Sequence, residues 1–307
     1  MAAEAGMRRG KRMVFFSDTH IGSPNFTRER EDLFYDFLEQ GIDDDVDAMY
    51  LVGDGFDLIL KEWRDIVSDK KLVGRLNEAG EKTDFHVLVG NHDIGLDHIV
   101  DFGRVFPHLE LQGATEKTIV LREKVGNEFS PKAAIETLSS GRHIRPYGKD
   151  IIVAHGYEFD HYFSGDPKRY DTVIRMAGNL RNIVGNHVDT RLLQFWEAIR
   201  DGLGADPDMQ GNKKELLLAA RDAALYRPEE GEVVRRPSPL HAVIFGHTHH
   251  QAKQKLHDEV REERNMIRTW YVNTGCWIDN GRYRGSDFTV LYKNGQIRNY
   301  KWENLRA

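Results

Sequence analysis

The chain has 307 residues, 40% of them hydrophobic and 30% charged, enough apolar content to bury a sizeable core and too much for a disordered polymer. Its 43 Lys+Arg against 49 Asp+Glu leave a net charge of −6, which argues against a protein wrapped along DNA by bulk electrostatics. One cysteine, Cys276, excludes a disulfide framework and a structural zinc site built on paired thiolates, whereas the 14 histidines supply the ligand chemistry of metal sites open to water.

The basic stretch Met1 to Arg12 is followed only by Met13-Val14-Phe15-Phe16, too short for a signal-peptide core, and no segment approaches the roughly 18 apolar residues of a membrane span. A cytoplasmic protein with a reduced cysteine is expected. From there the chain repeats one theme. Val14 to Phe16 runs into Ser17-Asp18-Thr19-His20, Met49 to Val52 into Gly53-Asp54, and Phe85 to Val89 into Gly90-Asn91-His92-Asp93. Later, Ile151 to Val153 leads to Ala154-His155-Gly156, and Val243 to Phe245 leads to Gly246-His247-Thr248-His249. Short apolar runs that stop at turn residues predict buried strands, and the C-terminal ends of such strands are where open α/β sheets build their sites.

Between the first two runs, Asn25 to Gln40 spaces Leu33, Phe34, Phe37 and Leu38 as an amphipathic helix does, with Thr27 or Asn25 as its cap and Gly41 as its stop. Strands alternating with such helices predict an α/β architecture. From His155 to His247 the chain is helix-prone and charge-balanced, which predicts a helical insertion over 160–239 within a single 1–307 domain, packed on it or capping the site. Near the C-terminus, Trp270 to Val272 and the runs Phe288 to Lys293 and Gln296 to Trp302 read as strands. Asn294-Gly295 between the last two is a hairpin turn signal, so a second sheet with antiparallel strands is expected.

One strand end with Asp-x-His or Gly-Asn-His is weak evidence, but five in order are strong. The set Asp18-x-His20, Gly53-Asp54, Gly90-Asn91-His92-Asp93, His155-Gly156 and Gly246-His247-x-His249 resembles the calcineurin-like metallophosphoesterase superfamily. The resemblance spans Asp18 to His249 and implies an α/β fold, a β-sandwich of two mixed sheets flanked by helices. It also implies two divalent metal ions, Asp54 bridging both, with Asp18, His20 and His249 on the first and Asn91, His155 and His247 on the second. Ions about 3.5–4 Å apart can generate a bridging hydroxide that attacks a phosphorus in line. Two dications less Asp18, Asp54 and that hydroxide leave +1, a charge that attracts phosphate oxyanions. Oxygen and imidazole ligands without sulfur suit Mn2+ foremost, with Fe and Zn2+ as alternatives. By the same resemblance His92 steadies the transition state and protonates the leaving oxygen, and Asp93 holds and charges its imidazole.

Within the superfamily the pattern is most similar to UDP-2,3-diacylglucosamine pyrophosphatase-like members, in Ser17-Asp18-x-His20-x-Gly22 and Gly53-Asp54-x-Phe56-Asp57. That branch typically has Arg where this chain has His92, and Asp where it has Tyr157. The expected activity is hydrolysis of a phosphoester or pyrophosphate bond in a small, lipid-linked or nucleotide-linked substrate. A nuclease or phosphodiesterase acting on nucleic acid is less favoured, and the intact Asp54, Asn91 and His92 count against a non-catalytic binding scaffold. The second Gly185-Asn186-His187 lacks a following acid and has helical flanks, so it is assigned to chance or to the cap. Of the remaining histidines, His161 and His250 stand nearest the motifs. Lys168, Arg169, Lys213 and Lys214 are read as solvated surface.

Overall fold

The computed structural model describes residues 10–93, 96, 99–112, 124–125, 128–129, 142–157, 216–220, 240–256, 269–281 and 283–306. The first half runs β1 (Arg12–Phe16), α1 (Arg28–Gln40), β2 (Val46–Val52), α2 (Trp63–Ile66), α3 (Lys70–Lys82), β3 (Asp84–Leu88), α4 (Phe102–Val105) and β4 (Leu109–Gln112). There follow β5 (Lys124–Val125), β6 (Glu128–Phe129), β7 (Arg142–Ile144), β8 (Ile151–Val153), β9 (Ala242–Phe245), β10 (Ala252–Lys255), β11 (Trp270–Asn273), β12 (Asp287–Tyr292) and β13 (Ile297–Lys301).

Two mixed sheets result. The first has the order β13-β12-β1-β2-β3-β4, with β1 to β4 parallel and the β12–β13 hairpin antiparallel beside β1. The second has the order β10-β11-β9-β8-β7, a parallel centre with antiparallel edges. Side chains alternate faces along a strand, and here both faces are apolar because both are covered. Val14, Phe16, Met49 and Leu51 point to a core shared with Leu33, Phe34 and Phe37 of α1 and with Leu72, Leu76 and Ala79 of α3. Phe15, Ala48, Tyr50 and Val52 point the other way and meet Ile151, Val153, Ala242, Ile244 and Val272 of the second sheet. On the far side of that sheet, Ile152, Val243 and Phe245 pack against Leu216, Ala219 and Ala220 of the helical residues 216–220. The layers are therefore helix, sheet, sheet, helix, as the α/β sandwich expectation requires.

The hairpin at Asn294-Gly295 forms as expected, with Gly295 at φ +83, but it extends the first sheet and not the second. β12 covers the open edge of β1, Leu291 and Ile297 fill the inter-sheet layer, and Trp302 closes under α1 with its ring centroid 5.5 Å from that of Phe37. Of the expected insertion over 160–239, only residues 216–220 are described, and they lie in the outer helix layer. The rest of it, including Gly185-Asn186-His187, Lys168, Arg169, Lys213 and Lys214, lies outside the described residues. Among the described residues no helix is long and apolar enough to cross a membrane.

The cap of α1 is Thr27, at φ −63 and ψ 161, whose hydroxyl accepts from Arg30 N at 3.4 Å, with Glu29 and Glu31 in the first turn. Thr27→Ala is expected to lower stability by about 1 kcal/mol in urea unfolding; an unchanged midpoint would remove the cap from the account of α1.

Candidate metal centre

The chain leaves β1, β2 and β3 of one sheet and β8 and β9 of the other at a common edge. Loop backbones lock together there: Asp18 N donates to Gly53 O (3.1 Å), His20 N to Asp54 O (3.0 Å), Gly246 N to His155 O (3.0 Å) and Trp277 N to Asp18 O (3.1 Å). Asp18, His20, Asp54, His247 and His249 all adopt positive φ, from 45° to 71°. Among the described non-glycine residues only Tyr147 shares that conformation. Left-handed backbone costs roughly 1–3 kcal/mol at such residues, and it persists where surrounding structure imposes it for a purpose. Gly53, at φ +80, is needed for a further reason: a Cβ there would clash with the His155 side chain.

The structure gathers all seven expected ligands. Ligand atoms of Asp18, His20 and His249 lie within 4.8 Å of one another, as do those of Asp54, His155 and His247. A third trio, His20, Asp54 and His92, shares a member with each. Asp54 Oδ1 accepts from His92 N at 2.7 Å, which leaves Oδ2 facing both groups, 3.2 Å from His155 Nε2 and 3.8 Å from His20 Nε2. Asn91 Oδ1 stands 3.1 Å from His155 Nε2. The Nδ1 of His155 lies 2.8 Å from Val52 O, where it can only donate, so Nε2 is the nitrogen left for a ligand bond. Asp18, His20, Asp54, Asn91, His155 and His247 are buried, and His249 is half-buried.

The residues fit divalent cations. Asp18 Oδ1 is buried without a hydrogen bond among the described residues, 3.3 Å from His249 Nε2. His20 Nε2 and His249 Nε2 are 3.3 Å apart, a separation that calls for a proton or a cation joining them. In the metal-free protein two imidazoles, those of His155 and His92, are held toward the charged form, whereas burial and the neighbouring His92 push His20 toward neutral. Burial alone would lower His155, but Asp54 beside it drives the imidazole up to about 10. Burial alone would raise Asp54, and the charges of His155 and His92 outweigh it and hold the carboxyl well below the usual range. A buried carboxylate cluster that must keep histidines protonated is a site suited to a metal.

Asp93 differs from expectation. Its Oδ2 accepts from Gly55 N (2.8 Å) and Phe56 N (3.4 Å), and its Oδ1 accepts a short hydrogen bond from Gly90 N. With both oxygens turned to backbone donors, Asp93 braces the loops that carry Asp54 and Asn91 and does not hold the His92 ring. Burial, reinforced by the Asp54 charge, raises it to about 7. The carboxylate at His92 is Asp57: its Oδ1 lies 3.4 Å from His92 Nδ1, and its Oδ2 lies 3.8 Å from His20 Nδ1. Burial opposes protonation of His92, yet Asp57 and then Asp54 raise it to about 9. The charge count changes accordingly, since Asp57 adds one negative charge that a protonated His92 cancels. The second acid of Gly53-Asp54-Gly55-Phe56-Asp57 was the signal for this role. His250 is in none of these groups: its Nε2 lies 2.8 Å from the hydroxyl of Tyr283, which packs edge-on against His249, and His161 lies outside the described residues.

No family model matches the sequence, and no curated protein matches it. Solved structures that align with the chain include TT1561 of Thermus thermophilus, at 10% identity and TM-score 0.42, covering 96% of this chain and 100% of that one. A phosphoesterase from E. coli aligns at 11% identity and TM-score 0.37, covering 94% and 98%. A dimetal phosphatase from Danio rerio aligns at 9% identity and TM-score 0.41, covering 96% and 100%.

Proposed function

We propose that the protein is a dinuclear metal-dependent phosphohydrolase. The observation that carries this is Asp54 Oδ2 facing two adjoining groups of buried ligand atoms. Asp18, His20, Asp54 and His249 would hold one ion, and Asp54, Asn91, His155 and His247 the other. Bound divalent ions supply Lewis acidity toward phosphate oxygens and a nucleophile at neutral pH.

The chain's own residues supply the rest. His92, with Asp57 at its Nδ1, keeps Nε2 to carry the proton that the leaving oxygen needs. Its edge-on packing at 4.5 Å between ring centroids on His20 places that proton beside the ligand cluster. Asp93 and the backbone of Gly55 and Gly90 keep the Asp54 and Asn91 loops rigid, so the phosphate meets a preformed site.

The substrate class is a phosphoester or pyrophosphate, lipid-linked or nucleotide-linked, handled with Mn2+ in the cytoplasm. Leu58, Ile59 and Leu60, each half-buried, follow Asp57, and Leu58 N donates to His92 O at 3.0 Å. Leu58 packs on the core, so Ile59 and Leu60 are the apolar side chains this loop offers near the proton donor, and they support a leaving group with apolar content. The pattern likeness to UDP-2,3-diacylglucosamine pyrophosphatase-like members points the same way, while His92 and Tyr157 distinguish the chain from them.

Chelator-stripped protein is expected to bind about two Mn2+ per chain and to hydrolyse bis-nitrophenyl phosphate or nitrophenyl phosphate only when reloaded. Turnover indifferent to chelation, or no metal uptake, would overturn the proposal.

A further inference from the structure

Asp18 is held by its neighbour Ser17, whose hydroxyl is in turn held by one that reaches it from the other sheet. Thr274, the residue after β11, places its Oγ1 2.6 Å from Ser17 Oγ. Ser17 Oγ in turn makes a short hydrogen bond to Asp18 Oδ2, and His247 N donates to that same oxygen at 3.0 Å. Proton counting sets the direction. A carboxylate only accepts and each hydroxyl has one proton; Gly275 O at 3.1 Å competes for that of Ser17 and Phe245 O at 3.3 Å for that of Thr274, and the shorter contacts send Ser17's proton to Asp18 and Thr274's to Ser17. Ser17, Asp18 and Thr274 are each 0% exposed, so water does not compete for these bonds.

The result is an asymmetric carboxylate. Oδ2 carries two donors, while Oδ1, buried and without a hydrogen bond among the described residues, faces His249. Around the relay, Asn273 clamps the β9 loop: its side-chain amide donates to Gly246 O, its Oδ1 accepts from Gly275 N at 3.2 Å, and Thr274 N donates to Phe245 O at 2.9 Å. A side chain at position 246 would strike Ser17, so Gly246 is what lets the two sheets approach closely enough for the relay to form.

We infer that Thr274 and Ser17 are positioning residues that restrict Asp18 to binding a metal through Oδ1. Through the shared Oδ2 they also fix the backbone of His247, so one hydroxyl relay sets a ligand in each half of the centre. This rests on the dinuclear centre proposed above. Neither hydroxyl touches a metal or a substrate. Orientation of a ligand by such an outer partner is typically worth 10–100-fold in metal affinity.

The test is calorimetric titration of Mn2+ into chelator-stripped protein, with melting of the metal-free forms as a control for the fold. Thr274→Val, which keeps shape and removes the hydroxyl, is expected to weaken Mn2+ binding by roughly 10–100-fold, and Ser17→Ala by a similar factor. Thr274→Ser is expected to restore wild-type affinity. Wild-type binding in both Thr274→Val and Ser17→Ala overturns the relay alone, as does a Thr274→Ser protein as weak as Thr274→Val. Wild-type protein that takes up no Mn2+ overturns the dinuclear centre, and the relay with it.

Discussion

Asp54→Asn is expected to abolish the paired site: metal content falls below two per chain and Mn2+-dependent turnover drops by roughly 10³-fold or more, the scale of several kcal/mol of lost charge stabilisation. The substitution keeps Oδ1 as an acceptor for His92 N but replaces the charged oxygen that faces both ligand groups, or turns an amide toward it. Stability supplies an independent measure. A metal that binds only the folded chain stabilises by about 2.7 kcal/mol at a hundredfold excess over Kd. Wild-type protein should therefore melt higher with Mn2+, and the Asp54→Asn variant should gain little. A variant that kept two metals and normal turnover would dismiss the bridging role.

The second large effect concerns His92. Replacing it with Gln is expected to lower turnover by roughly 10²–10⁴-fold, the usual contribution of a general acid, while leaving metal content intact. The loss should be larger for an alkyl phosphate ester than for a nitrophenyl ester, whose leaving oxygen needs no proton. Asp57→Asn should show the same leaving-group pattern in weaker form, because it removes the charge that keeps His92 protonated. Loss of metal on His92→Gln would instead make His92 a ligand, a role its place in a trio with His20 and Asp54 leaves geometrically open.

The candidate ligand set was legible because each strand end carries its chemistry next to its own apolar run, so local pattern and candidate site coincide. The α1 helix was legible for a similar reason, since Thr27, the apolar spacing and Gly41 all act within one segment. What sequence could not place was set by tertiary pairing. The Asn294-Gly295 turn specifies a hairpin and says nothing of which sheet receives it; the open edge of β1 decided that. β10, Ala252 to Lys255, is polar because it is an edge strand, so it lacks an apolar run to announce it. Asp93 follows His92 directly, yet neighbours in a loop need not face each other. Backbone donors from Gly55 and Gly90 captured the nearer acid, and Asp57, from the preceding loop, took its place.

The relay between Ser17 and Thr274 joins positions 257 residues apart. During folding, β1 to β3 can pair early through closer contacts, but Asp18 has neither its hydroxyl support nor His247 until β9 and β11 arrive. For the proposed centre, metal capture is therefore expected late in refolding. A partly assembled chain would expose carboxylates of the first sheet without being able to retain the ions. Tight Mn2+ uptake should lag behind secondary structure and report completion of the whole molecule, not of either sheet alone.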